Sequence, residues 1–218
     1  MAKRRGLFAA LTALGLGALM LYAAPRVWDF ESTPVGALPQ GWKVGVTNAD
    51  TLPLWKVVAE GKNHVLMMAR PAKSGGLFGI GSVFNLCWTD AVRAADFDAS
   101  VRFKAVSGRE DRGGGIMWRV KSDATYYVAR FNPLEDNFRF YYVKEGRRVE
   151  LASADVRLKP GWHTMRVVMR GEAFEGYLDG RRLLRADDDM IEGTGGVGLW
   201  TKADAVTKFD DFRVEALR

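Results

Sequence analysis

Three segments in the middle of the sequence combine aromatic side chains with arginines: residues 115–119, 126–131 and 138–142. A sugar presents apolar ring faces edged by hydroxyl groups, so sugar sites combine aromatic rings with planar groups that make paired hydrogen bonds. If the segments are neighbouring strands, one sheet face gathers this mixture, and we predict that it binds a carbohydrate. The alternative is that the rings fill the core while the arginines are solvated. The predicted ligand-binding residues are Trp118, Arg119, Tyr127, Arg130, Arg139, Tyr141, Trp200 and Lys202.

Catalytic signatures are scarce. The sequence has no His-Glu-x-x-His pattern, no phosphate-binding P-loop and no Gly-x-Ser-x-Gly elbow. Glycoside hydrolysis needs two facing carboxyl groups, and no Glu is followed two residues later by an Asp, the spacing that puts two acids on one face of a strand. The catalytic residues stay unassigned, with Glu135 and Asp136 as candidates beside the aromatic segments. Glu110 and Asp111 lie in a predicted turn, where solvation of surface acids explains them.

Metal ligation has one candidate site. Two histidines and a single cysteine make no zinc pattern, and no cofactor is required by the residues present. Asp29 and Glu31 open the domain, and Asp211 lies on its last predicted strand. Pairing of the first and last strands would bring these carboxylates together around a structural calcium ion, which prefers oxygen ligands. A solvated sheet edge is the alternative. His163 is predicted to be a packed or hydrogen-bonded strand histidine.

The elements that position these side chains are predicted to be strands. Residues 97–105 alternate apolar and polar types, the period of a strand with one face in the core. The alternation recurs in residues 163–170 and 209–214, with glycine-rich turn signals in between. Asp179-Gly180 has the composition of a two-residue hairpin turn. Many short strands separated by turns predict an all-β fold, an antiparallel jelly-roll β-sandwich, as one domain over residues 25–218.

The N-terminus resembles an export leader. Three cations precede an uncharged apolar stretch, so residues 1–24 are predicted to be a signal peptide or an N-terminal membrane anchor. We expect a periplasmic or secreted protein, attached to the inner membrane through residues 7–24 if the leader is not cleaved. The leader carries Lys3, Arg4 and Arg5, so the formal charge of +6 falls to +3 without it. The sequence has no long basic run, so it gives no indication of nucleic-acid binding. Cys87, in an apolar run, is predicted to be a buried thiol.

The sequence resembles the concanavalin A-like group that contains 3-keto-disaccharide hydrolase domains and, more distantly, family 16 glycoside hydrolases and laminin-G-like domains. The resemblance is carried by residues 114–119 (GGIMWR) with 126–128 (YYV), by 161–167 (GWHTMRV) with 177–180 (YLDG), and by 195–202 (GGVGLWTK) with 209–214 (FDDFRV). It implies a sugar-holding role for Arg119. In the hydrolase group the strand that matches residues 126–131 usually carries a glutamate after its tyrosine, and here that position has no acid.

Three functions are consistent with these patterns. The first is an exported carbohydrate-binding domain, which the aromatic and arginine mixture without paired acids favours. The second is a hydrolase or lyase acting on a 3-keto-glycoside, in which Glu135 or Asp136 replaces the missing glutamate; a ketone acidifies the neighbouring carbon, so one positioned base would suffice for elimination. The third is a laminin-G-like module that binds another protein through an apolar rim around Leu77 and Phe78.

Overall fold

The computed structural model describes residues 24–73 and 82–217, which form fifteen strands and contain no α-helix. The strands are β1 (Arg26–Trp28), β2 (Trp42–Thr47), β3 (Leu54–Glu60), β4 (Asn63–Arg70), β5 (Phe84–Ala94), β6 (Phe97–Ser107), β7 (Gly114–Ser122), β8 (Thr125–Asn132), β9 (Asn137–Lys144), β10 (Arg147–Asp155), β11 (His163–Arg170), β12 (Ala173–Leu178), β13 (Arg181–Asp187), β14 (Gly195–Lys202) and β15 (Val206–Ala216).

Two antiparallel sheets form a sandwich. Sheet A has the order β13-β12-β11-β6-β15-β4-β3, with β1 also paired to β15. Sheet B has the order β10-β9-β8-β7-β14-β5-β2. The predicted all-β, antiparallel jelly-roll sandwich is therefore confirmed, and so is the predicted pairing of the first and last strands, in which Trp28 lies opposite Phe212.

The core lies between the sheets and follows the alternation in the sequence. On β6, Phe97, Ala99, Val101 and Phe103 are all buried against sheet B, while the intervening Arg102 is exposed. Burial of a large apolar side chain contributes about 1.5–3 kcal/mol, and alternate residues of a strand point to the same side. A strand whose apolar and polar residues alternate therefore has only one favourable orientation, with its apolar side toward the core.

Several local predictions are confirmed. Asp179 and Gly180, with φ of 48° and 79°, form the two-residue turn between β12 and β13. The Asp179 carboxylate accepts a hydrogen bond from the backbone N–H of Thr164 and lies 2.7 Å from His163 Nδ1, so His163 is a hydrogen-bonded strand residue. Cys87 is buried, and burial raises the pKa of its thiol well above the ordinary value.

Two hairpin turns of sheet B contact the end of β2. The turn between β7 and β8 reaches the end of β2, where Thr47 Oγ1 donates to the carbonyl of Asp123. Asn48 Nδ2 donates to the carbonyl of Gly146 in the turn between β9 and β10, at 3.0 Å. An apolar layer lies on the outer side of sheet B. That layer contains Phe84, Leu86, Met117, Val120, Tyr126, Val128, Tyr141, Val143 and Trp200, all buried.

Two predictions fall outside the described residues. Residues 1–23 of the predicted leader are not described, and neither are Leu77 and Phe78 of the proposed apolar rim. In the described ranges, no helix is long and apolar enough to cross a membrane.

Candidate functional site

One end of the outer face of sheet B holds a group of charged and polar side chains. Strands β8 and β9 pair so that Arg130 lies opposite Arg139 and Val128 opposite Tyr141, which places both arginines and the tyrosine on the outer side. Lys202 comes from the end of β14. We call this group the outer-face cluster: Asp111, Arg130, Glu135, Asn137, Arg139, Tyr141, Arg148 and Lys202.

Arg130 is the centre of the outer-face cluster. Its side chain is only 1% exposed, yet its guanidinium contacts two carboxylates: Nη2 donates to Asp111 Oδ2 at 2.8 Å and to Glu135 Oε1 at 3.1 Å. Its Nη1 lies 3.4 Å from the hydroxyl oxygen of Tyr141. Burial acts to lower the pKa of Arg130, but the attraction of Asp111 and the hydrogen bond to Glu135 outweigh burial and raise it. Arg130 is therefore a fixed positive charge.

The two carboxylates on Arg130 have opposite electrostatic environments. Asp111 is 1% exposed, and burial raises its pKa in spite of Arg130 and of Lys202 Nζ at 3.3 Å. The Glu135 side chain is 39% exposed. Burial acts to raise its pKa too, but hydrogen bonds from Asn137 and Arg130 lower it to about 2. At neutral pH, Glu135 is consequently an ionised acceptor at the open rim.

The loop that carries Asp111 is held by a distant acid. The Asp204 carboxylate accepts hydrogen bonds from the backbone N–H groups of Arg109, Glu110 and Asp111, at 2.7, 3.0 and 3.0 Å. Gly108 precedes them with φ of 144°, and a Cβ there would lie 1.8 Å from the carbonyl oxygen of Asp111. A side chain at this position would therefore push the loop away and move Asp111 off Arg130.

An aromatic floor adjoins the outer-face cluster. The Trp200 ring packs on Phe84 with centroids 5.2 Å apart, and its Nε1 donates to the Tyr126 hydroxyl at 3.2 Å. The Arg148 guanidinium lies over the Tyr141 ring, 4.4 Å from its centroid. Stacking of this kind fixes the plane of a guanidinium group. Rings and planar donors thus occur together, as the sequence mixture predicted.

Unpaired polar atoms concentrate here. Five buried side-chain atoms in or beside the outer-face cluster have no hydrogen-bond partner in the part of the chain described: Asp111 Oδ1, Arg130 Nε, Asn132 Nδ2, Asn137 Oδ1 and Arg148 Nη1. Buried polar groups in folded proteins almost always have partners. Their concentration at one place makes the outer-face cluster the candidate site.

The eight predicted ligand-binding residues divide into two groups. Arg130, Arg139, Tyr141, Trp200 and Lys202 lie on the outer side of sheet B, in the cluster or on the aromatic floor. The other three, Trp118, Arg119 and Tyr127, lie elsewhere.

Trp118 and Tyr127 stack on each other in the core between the sheets, with centroids 5.6 Å apart. Arg119 lies at the far end of β7, where its guanidinium donates to the carbonyls of Ile191 and Gly171, each at 2.9 Å. Arg119 has φ of 46°, and the pairing of β7 with β8 shifts between Trp118 and Ser122. This irregularity turns Arg119 toward the loops, where it ties strand ends together.

The acids near the aromatic segments lie in different environments. Glu135 belongs to the outer-face cluster, whereas Asp136 pairs with the exposed Arg157 at 2.6 Å. The prediction that Asp111 is a solvated turn residue is wrong, because Arg130 and Lys202 hold it in the interior. Its partners lie 19 or more positions away along the chain, so local sequence gave no signal of its burial.

The carboxylates of the predicted calcium site have separate partners. Asp29 accepts from the backbone N–H of Glu31 at 3.2 Å, and Glu31 accepts from that of His64 at 2.9 Å. Asp211 pairs with Arg102 at 3.3 Å. Within residues 24–73 and 82–217, no group of three or more His, Cys, Asp or Glu side chains is arranged to hold a metal ion. The calcium site stays a prediction without geometric support.

A concavity of about 380 Å³ lies beside β1. It is lined by Arg26, Trp28, Asp29 and residues up to Gln40. None of these lining residues has a buried polar atom without a partner among the described residues. The outer-face cluster is therefore the better candidate for a built site.

Comparison with known proteins identifies the fold. No protein-family model matches the sequence, and no curated protein does. Among solved structures, the carbohydrate-binding module CBM66 from Bacillus subtilis has a TM-score of 0.63 and 18% identity, over 81% of this chain and 96% of the module. The cellulose-induced protein Cip1 has a TM-score of 0.59 and 14% identity, over 88% and 98% of the two chains.

The carbohydrate recognition domain of Emp47p is also similar, with a TM-score of 0.54 and 14% identity over 88% of this chain and 95% of that domain. At these identities the similarity shows the fold alone. The chain therefore shares the antiparallel β-sandwich fold with these structures.

Proposed function

We propose that this protein is an exported carbohydrate-binding domain and that the outer-face cluster is its sugar site. The observation that carries the proposal is Arg130, a buried guanidinium holding two carboxylates beneath a partly open rim of Glu135 and Arg139. Export is supported by the leader in the sequence.

The chemistry of the rim fits sugar hydroxyls. A hydroxyl both donates and accepts, so it pairs well with a carboxylate on one side and a guanidinium on the other. Glu135 and Arg139 provide this combination 3.4 Å apart, with side chains 39% and 31% exposed. The aromatic floor beside these side chains is buried and supports them. The carbohydrate-binding module and the recognition domain with the same fold add support.

Titration calorimetry against a panel of neutral and acidic oligosaccharides tests the proposal. At least one glycan should bind, and Glu135→Ala should weaken its binding about tenfold or more, because a hydrogen bond to a charged group contributes roughly 1.5–3 kcal/mol. The matched control is Asp136→Ala, the adjacent acid, whose partner Arg157 lies on the surface. Absence of binding to every glycan, or an equal loss in the two variants, would contradict the proposal.

A second candidate is a hydrolase or lyase acting on 3-keto-glycosides, as the sequence resemblance implies. It is favoured by one observation: Asp111 and Glu135 share Arg130 Nη2, and their environments shift the two pKa values in opposite directions. Opposite shifts of two neighbouring pKa values are typical of a catalytic acid and its partner base.

The low pKa of Glu135 makes it a weak base, because general bases work best with a pKa near the working pH. We therefore rank binding first. Release of free sugar from a 3-keto-disaccharide, abolished by Glu135→Ala and retained in Asp136→Ala, would reverse this order.

A further inference from the structure

Arg148 differs from the other cations of the outer-face cluster. It lies on β10, and its guanidinium stacks on Tyr141 and also lies 5.3 Å from the Phe84 ring centroid. Its Nη1 is buried and has no hydrogen-bond partner among the described residues. No carboxylate of those residues lies within 4 Å of the Arg148 guanidinium, so none forms an ion pair with it.

The other three cations of the cluster are paired. Arg130 contacts Asp111 and Glu135, and Lys202 contacts Asp111. Arg139 lies 3.4 Å from a carboxylate oxygen of Glu135 and 3.4 Å from one of Glu150. Four cations therefore share three carboxylates, and the cation left over is Arg148.

An unpaired guanidinium in this position is electrostatically unfavourable. Burial lowers the pKa of Arg148, yet an arginine side chain remains charged at neutral pH. A buried charge is costly unless an opposite charge or hydrogen bonds compensate it. Because the plane of the guanidinium is fixed on Tyr141, its free edge is oriented before any ligand arrives, and a planar fork of N–H donors matches two anionic oxygens.

We propose that the sugar bound by this domain is acidic, and that its anionic group, a carboxylate or a sulfate ester, pairs with Arg148. The inference rests on the proposed carbohydrate site and deepens it by naming the class of ligand. The cluster then has two tasks: Glu135 and Arg139 bind hydroxyl groups at the rim, while Arg148 selects charge.

Matched pairs of oligosaccharides test the proposal by calorimetry. One pair is a galacturonic acid trisaccharide and its methyl ester, and the other is a sulfated galactan oligosaccharide and its desulfated form. The wild-type protein should bind the acidic member of at least one pair about tenfold more tightly than the neutral member. The pair in which this occurs identifies the anionic group.

Two variants assign the preference to a residue. Arg148→Gln should abolish the preference for the acidic member of the pair, because it removes the charge that the anionic group contacts. Arg147→Gln is the matched control, because it removes an exposed arginine from the adjacent position of the same strand, and it should retain the preference.

The outcomes separate the two proposals. Binding of neutral glycans without preference for either acidic probe would overturn the acidic ligand and leave the carbohydrate function standing. A preference that survives Arg148→Gln would also overturn it. If no glycan of either kind binds, both proposals fail. Retained circular dichroism and an unchanged melting temperature of Arg148→Gln would exclude loss of folding as the cause.

Discussion

The charged side chains on the outer faces of the two sheets are organised in opposite ways. On sheet A, charged side chains pair with one another at the surface: Arg166 donates two hydrogen bonds to Asp98, and Lys104 and Lys208 both contact Glu60. On sheet B, Arg130 and Asp111 pair in the interior, each 1% exposed, with unpaired polar atoms around them. Exposed pairs contribute little stability, whereas a buried cluster with unused donors and acceptors is suited to binding.

The aromatic residues show the same contrast. Trp162 lies against Arg102 and Lys104 on the outer side of sheet A, partly exposed. Trp200 is fully buried on the outer side of sheet B, between Phe84 and Tyr126. One outer face is thus a solvated surface, and the other is a second apolar layer that supports a site.

The two faces should differ most in the unfolding free energy that is lost when one tryptophan on each face is replaced. Trp200→Ala should lower the free energy of unfolding by about 4 kcal/mol, because it removes a fully buried ring. Trp162→Ala should lower it by about 1 kcal/mol, the scale of an exposed cation–π contact. Urea unfolding measures both values. Equal losses would mean that the outer side of sheet B is not an apolar layer.

The next largest difference in lost unfolding free energy should come from replacing one arginine on each face. Arg130→Met leaves the Asp111 carboxylate buried with only Lys202 beside it, and should cost about 3 kcal/mol of unfolding free energy. Arg166→Met breaks an exposed pair and should cost less than about 1 kcal/mol. In the Arg130→Met background, Asp111→Asn should restore part of the stability, because it removes the uncompensated charge. Further loss in the double variant would contradict this account.

The smallest expected effect is on how the unfolding free energy changes as the pH falls below neutral. The folded-state pKa of Glu135 is about 2, below its ordinary value of 4.5, so its contribution is present above pH 4.5 and is lost as the pH falls toward 2. For this partly exposed side chain we expect about 1 kcal/mol after solvent screening. Unfolding free energies of wild type and Glu135→Gln, measured from pH 6 to pH 2.5, give the difference.

The matching glutamate on sheet A is Glu60. Hydrogen bonds from Lys104 and Lys208 lower its pKa, so Glu60→Gln should also flatten the acid side. Since Glu60 and its partners lie on a solvated face, 0.5 M salt should remove most of this effect. The effect of Glu135→Gln should persist in the same salt, because Arg130 is buried. Equal salt sensitivity of the two variants would remove the electrostatic distinction between the faces.

Part of the candidate site could be predicted from the sequence. The mixture of aromatic residues and arginines predicts Arg130, Arg139 and Tyr141 correctly. It also predicts Tyr127, which faces the core. Strand β8 has apolar or aromatic residues on both sides, and Tyr126 and Tyr127 are both fully buried. Alternation cannot tell which side of such a strand faces the other sheet.

The strands, the hairpin turn at Asp179-Gly180 and the buried thiol of Cys87 follow from local sequence, because each depends on alternation or on neighbouring residues. Which arginines are structural and which belong to the outer-face cluster depends on how distant segments pack together. Arg119 and Arg130 both lie in segments rich in aromatic residues, but Arg119 lies in an irregularity of β7 that turns it toward backbone carbonyls. Asp111 meets Arg130 and Lys202 through long-range strand pairing, which no local pattern encodes.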